Sequence, residues 1–263
     1  MTETKQDLKN PRFNFQLSKA TIDLLRNFST INKSILIGEG KVLQTMSVNK
    51  NIISLTQVRE EFPCQMAIYD LPLFLGALSL FQKPWLAFPD DKKVIIYDEE
   101  TKGKTTFYYS DPEIIVTPPE FNPDSIQAEI MFDLPQKDIT QLMQAAKVYG
   151  VEDLCIQGYA PEGTLETAAF SICVKDKKNQ TSNVFSLPLR KVIFADNAAA
   201  DQDGARPLTK ERMNFCYCFK VENLKLIDAS YHVTITEKNI ANFNSLSHSA
   251  FCLLYTSPSP RDS

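Results

Sequence analysis

The chain has 263 residues, 43% of them hydrophobic and 23% charged, with a formal net charge of −4. That balance belongs to a globular protein of one large or two ordinary domains. No apolar run approaches the ~20 residues of a membrane helix, and the acidic total excludes a surface coated in basic charge while leaving room for a local basic lining.

The first ten residues are polar and lack an apolar signal segment, so 1–12 reads as a flexible extension and the expected location is cytoplasmic. Residues 12–17 alternate apolar and polar and run straight into a helical pattern over 18–31. Segments 34–37 and 41–46 flank Gly38-Glu39-Gly40, a hairpin signal, and 52–58 follows as a further strand. The strand 65–69 feeds a second helix over 70–81. Past the turn 89–92 come strands at 94–97 and 105–109. Residues 111–124 carry Pro112, Pro118, Pro119 and Pro123, which suits an extended connector between a first domain, 13–110, and a second, 125–251.

The same order then repeats. Strand 127–132 enters a helix over 134–148, followed by strands at 154–158, 167–174 and 183–187. The Ala-, Asp- and Gly-rich stretch 195–207 reads as a loop. Strand 213–219 leads to a fourth helix at 220–227, and strands at 232–236 and 240–246 close the domain. The segment 252–263 does not fit this pattern. It resembles a translated sequencing adapter and reads as a non-native tail. Four strand-to-helix junctions therefore predict four equivalent units. Two of them share Asp-Leu-Pro, at Asp70 and Asp133, where the carboxylate would cap the helix and the proline occupy its first turn.

Catalytic chemistry is hard to assemble from these residues. His232 and His248 lack a nucleophile and an acid at triad spacing, and the eight glycines form no phosphate-binding loop. Asp90-Asp91 and Glu99-Glu100 sit in turns, as solvated charge does. The six cysteines show no C-x-x-C pair and fall mostly in apolar strands, so reduced core thiols are expected and no metal site. No cofactor is implied. The helices say more. In 18–31, Ile22, Leu24, Leu25 and Phe28 oppose Lys19, Asp23, Arg26, Thr30 and Lys33. In 134–148, Ile139, Leu142, Met143 and Ala146 oppose Lys137, Gln141, Gln144 and Lys147. The second face carries no acid, which suits contact with phosphates.

Leu17-Ser18-Lys19, Leu24-Leu25-x-Asn27-Phe28-x-Thr30-Ile31-Asn32 and Ala67-Ile68-Tyr69-Asp70-Leu71-x-x-Phe74-Leu75-Gly76-x-Leu78-Ser79-Leu80 resemble the DNA sliding clamps, most closely those of T-even-type phages. Leu43-Gln44-Thr45-Met46 is similar to the Leu-Gln-Ser-Met strand of cellular clamps. The likeness spans 13–251 and is most specific in the first 85 residues. It implies an α+β clamp fold of two similar domains, three chains per ring, helices lining the hole and sheets outside. It also implies a non-enzymatic processivity factor that encircles double-stranded DNA without reading sequence. Its partners would be a DNA polymerase and an ATP-dependent clamp loader, with transcription factors as further candidates and no membrane, inside the infected host cell if the gene is a phage's. On this resemblance Lys19, Arg26, Lys33, Lys83, Lys137, Lys147, Lys220 and Lys225 would meet phosphates. Met46, Ile114, Ile115, Val116 and Pro118 would form the groove for partner peptides. The alternatives are a clamp-like scaffold that does not encircle DNA and an α+β enzyme using Asp70 and Asp133.

Overall fold

The computed structural model describes residues 13–119, 128–179, 181–195, 209–236, 239–247 and 250–255. The chain divides into two units, Met1–Phe121 and Asn122–Ser263. The first holds β1 (Phe13–Gln16), α1 (Lys19–Ile31), β2 (Ile35–Ile37), β3 (Gly40–Met46), β4 (Ile52–Phe62), β5 (Met66–Ile68), α2 (Leu71–Ser79), β6 (Trp85–Phe88), β7 (Lys93–Tyr97) and β8 (Lys104–Tyr108). Strands β1, β6, β7 and β8 form an antiparallel sheet in that order. Leu25 and Phe28 of α1 and Phe74 and Leu78 of α2 are buried, with α1 packed on α2.

The expected hairpin of 34–37 with 41–46 does not form. β2 pairs with β5, and β3 pairs with β4 instead. Gly40, at φ +100°, adopts backbone that glycine alone takes readily, and the β3–β4 register shifts there between Gly40 and Val42. The glycines thus mark a change of partner strand rather than a tight turn.

The helix starts separate two junctions that look alike in sequence. Asp70 caps α2, its Oδ1 accepting the Leu73 N–H at 2.8 Å. At the second Asp-Leu-Pro, α3 (Gln136–Tyr149) begins later and Pro135 is the cap residue. Asp133 belongs to β9 (Ile130–Leu134), where its carboxylate meets Nδ1 of His232, its cross-strand partner, at 2.8 Å. The two aspartates are therefore not equivalent. The Gln136 N–H is taken by Ser230 Oγ instead, and Gly150 ends α3 in the left-handed region at φ +64°.

The second unit continues with β10 (Asp153–Tyr159), β11 (Ala169–Lys175), β12 (Phe185–Pro188), β13 (Val192–Phe194), α4 (Lys210–Met213), β14 (Phe215–Lys220), β15 (Tyr231–Ile235), β16 (Ile240–Ser245) and β17 (Ala250–Tyr255). One sheet runs β12-β11-β10-β14, with α3 packed against β11 and β12. Strands β13, β9, β15, β16 and β17 pair in series. β17 includes 252–255, which the pattern set aside, while 1–12, 196–208, His248 and 256–263 lie outside the described residues.

The helix expected over 220–227 is absent. Lys220 ends β14 opposite Asp153, and only a 3-10 turn, Val221–Asn223, follows. The Val221 N–H extends the sheet contact to Glu152 O at 2.8 Å, so the start of the segment is held to its neighbour. Too few residues remain to repay helix nucleation. No helix among the described residues is long and apolar enough to cross a membrane.

Candidate functional site

Two helices carry the strongest positive stripes. On α1, Lys19, Asp23, Arg26 and Thr30 are exposed, as their spacing predicts, whereas Lys33, also exposed, lies past the helix end at Ile31 and its extended cap residue Asn32. Its buried side is Thr21, Leu25, Phe28 and Ile31, while Ile22 and Leu24 are only half-buried. Thr21 is tolerated inside because its hydroxyl donates to Glu60 Oε2 at 2.6 Å, and Glu60 Oε1 accepts the Ser18 N–H at 2.6 Å. A carboxylate from β4 therefore fastens the first turn of the helix that presents Lys19.

Burial raises the Glu60 carboxyl, but its hydrogen bonds to Thr21 and Ser18 outweigh this and hold it below its ordinary value of 4.5. A carboxyl with a depressed folded pKa stabilises above its unfolded value and loses that contribution as pH falls through the folded one. Wild type should lose part of its thermal stability as pH drops below about 4.5, and Glu60→Gln should start lower at neutral pH with a shallower acid loss. Melting curves from pH 7 to 3 check this; identical slopes for the two proteins would detach Glu60 from the α1 anchor.

On α3, Leu142 and Ala146 are buried against the sheet and Ile139 and Met143 are half-buried. Lys137, Gln141, Gln144 and Lys147 are exposed on the other side. Lys137 also lines a cavity of about 290 Å³ with Asp133, Pro135, Asp138, Leu187, Pro188, Leu189, Arg190 and Lys191. Arg190 and Lys191 were missed in the sequence. The signal was an adjacent basic pair, but nothing local placed it beside the start of α3.

The remaining basic candidates are less available. Arg26 pairs with Asp23 at 2.8 Å on its own helix. Lys83 pairs with Glu100 at 2.8 Å, and that hydrogen bond raises its pKa. Lys220 meets Glu152 and Asp153, each at 3.1 Å; burial lowers its pKa, yet the two carboxylates more than offset this. It serves β14 rather than a helix. Lys225 lies in the turns after the 3-10 segment, its N–H bonded to Asn223 O at 2.9 Å. Lys19, Lys33, Lys137 and Lys147 make no ion pair among the described residues.

The candidate peptide groove divides by exposure. Met46 and Ile115 are 5% and 6% exposed, and Pro118 is buried. Val116 is half-buried, while Ile114 is 55% exposed at the end of the 3-10 turn Pro112–Ile114. Of the five, Ile114 offers the most apolar surface to a partner.

The cysteines depart from the expected reduced core thiols. β10 and β14 set Cys155 and Cys218 directly opposite, with Cα atoms 4.1 Å apart, and they form a disulfide. Cys216, two residues before Cys218 on the same strand face, is exposed. A separation of 63 residues hid this pairing from any local motif.

The family described as DNA polymerase processivity factor matches residues 18–107, within the first unit. The sliding clamp of Vibrio phage KVP40 is 28% identical over 88% of this chain and 95% of its own length. The sliding clamp of Escherichia phage RB69 is 25% identical over 84% of this chain and 86% of its own. Among solved structures, the proliferating cellular nuclear antigen of Entamoeba histolytica superposes with a TM-score of 0.63 at 10% identity, covering 95% of this chain and 99% of that one. The A. fulgidus PCNA with the C-terminal region of FEN-1 bound gives a TM-score of 0.64 at 11% identity, with 95% and 99% coverage. The architecture is the α+β fold of these clamps.

Proposed function

We propose that this chain, a DNA sliding clamp of the T4-phage type, closes with two further copies into a ring around duplex DNA and tethers a DNA polymerase there. The observation that carries the reading is the exposed stripe Lys137, Gln141, Gln144 and Lys147 of α3, which holds no acid in an otherwise acidic protein, the helix's one carboxylate, Asp138, being half-buried beside it. Such a face gains from phosphates and has no base edge to read. The protein acts without catalysing a reaction. Asp70 is accounted for by its cap and Asp133 by its contact with His232. An ATP-dependent loader would open the ring, and DNA and loader binding extend the same reading.

Ring closure follows from strand edges. β8 and β12 each have one neighbour strand among the described residues. An open edge invites pairing with another chain, and pairing β8 of one copy with β12 of the next is a head-to-tail contact that closes when the rotation allows. Native mass in solution should show a trimer at micromolar concentration. A stable monomer there would remove the ring, and with it the topological mechanism.

Partner peptides would dock by Ile114. Replacing Ile114 with Ser should weaken binding of a peptide from the partner polymerase about tenfold or more, the worth of a modest hot spot. Met46→Ala is the poorer test, because emptying a buried site costs ~2–5 kcal/mol of stability by itself. Titration calorimetry decides, and unchanged affinity of the Ile114 variant would move the groove elsewhere.

A further inference from the structure

Strand register gathers four of the second unit's five cysteines on one face of the β12-β11-β10-β14 sheet, the fifth, Cys252, lying in β17. Cys155 lies opposite Cys218 on one side and Cys173 on the other, and Cys216 lies opposite Gln157, two residues along β10. The opposite face carries Leu154, Ile156, Ile172, Val174 and Phe219, all buried, so the core and α3, which packs against β11 and β12, lie on that side and the cysteines face away from them. Cys216 is exposed and gives this face an opening to solvent.

The sulfur atoms of Cys155, Cys216 and Cys218 all lie within 4.8 Å of one another. The disulfide uses two of them and leaves the third, Cys216 Sγ, 3.6 Å from Cys218 Sγ. Such a thiolate is placed to attack Cys218 Sγ and release Cys155, so any one bridge leaves a competing sulfur beside it. A tetrahedral zinc with Zn–S bonds of about 2.3 Å holds its sulfurs about 3.8 Å apart, close to the Cys216–Cys218 spacing. One thiophilic cation would satisfy all three sulfurs at once, which no disulfide does.

We propose that, once the Cys155–Cys218 bridge is reduced, Cys155, Cys216 and Cys218 form a thiolate site for one Zn2+ on the sheet face away from α3, with solvent in the fourth position. Reduction by a dithiol supplies two electrons and two protons: the S–S bond breaks, both sulfurs become thiols, and the dithiol closes to its own disulfide. Zn2+ then displaces the thiol protons to solvent. The bridged and metal-bound forms exclude each other, since the bridge removes two of the three ligands. This site shares no residue with the proposed DNA and peptide surfaces.

The test uses the full chain, reduced with dithiothreitol, desalted anaerobically and titrated with Zn2+ alone against a chromophoric chelator. Co2+ in a parallel titration reports thiolate ligation by its charge-transfer band. Reduced wild type should take one equivalent with that band, the oxidised chain should take none, and Cys216→Ser should bind at least about tenfold more weakly. Cys216 is exposed, so the serine leaves the core intact, and circular dichroism checks it. Cys64→Ser, in the other unit, should bind as wild type. No uptake by the reduced chain, equal uptake by the oxidised chain, wild-type affinity in Cys216→Ser, or a loss in Cys64→Ser would each overturn the proposal.

Discussion

Wild-type rings loaded onto nicked circular DNA should stay bound, and the same rings should run off once the circle is cut. Encirclement predicts this difference because a topological link needs no tight contact. Reversing Lys137 and Lys147 to Glu together should leave the trimer assembled but shorten retention on circles by about an order of magnitude, equivalent to ~1.4 kcal/mol. That is a modest demand on two charge reversals repeated around a ring. Each phosphate contact removed should also lower the salt dependence by a slope of about 0.9. Native mass confirms assembly, and gel filtration of loaded DNA reads retention. Equal loss of wild type from circles and cut DNA would sink encirclement. Unchanged loading by the double reversal would take α3 out of the DNA path.

Gly158→Ala should be among the most damaging small substitutions in the second unit. A Cβ there would lie 2.5 Å from Met213 O, 2.6 Å from Phe215 Cε1 and 3.0 Å from Phe170 Cδ1. The first is a backbone atom and cannot swing aside. The rings belong to a cluster in which Phe170 packs on Phe194 and Phe215 with centroids 5.8 and 6.0 Å apart. Overpacking of this kind costs ~3 kcal/mol, or roughly 6–12 °C in melting temperature for a chain of this size. Gly76→Ala is the matched control. Gly76 sits within α2, is exposed and would meet nothing within 4 Å, so alanine should stabilise by about 0.5–1 kcal/mol. If both variants melt alike, the close approach at Gly158 does not govern the packing of β10 against β14.

Local periodicity was enough to read much of this protein. The change from a period of two to one near 3.6 located α1, α2 and α3, and the same spacing named the exposed stripes of α1 and α3 before any packing was known. Asp70 as a cap was equally legible, because a cap and its amide lie three residues apart. What the sequence could not decide were choices between distant partners. Local patterns do not say that β2 takes β5 in place of its neighbour β3, or that the second Asp-Leu-Pro gives its carboxylate to His232. Nor do they show that Lys220 belongs to a strand held by Glu152 and Asp153, so that no fourth helix can start there. Glu60 reaching α1, Arg190 and Lys191 arriving beside Lys137, and three cysteines meeting across β10 and β14 have the same origin. Side-chain alternation is written in a few neighbouring residues, whereas register and pairing are settled only when whole strands compete for the same edge.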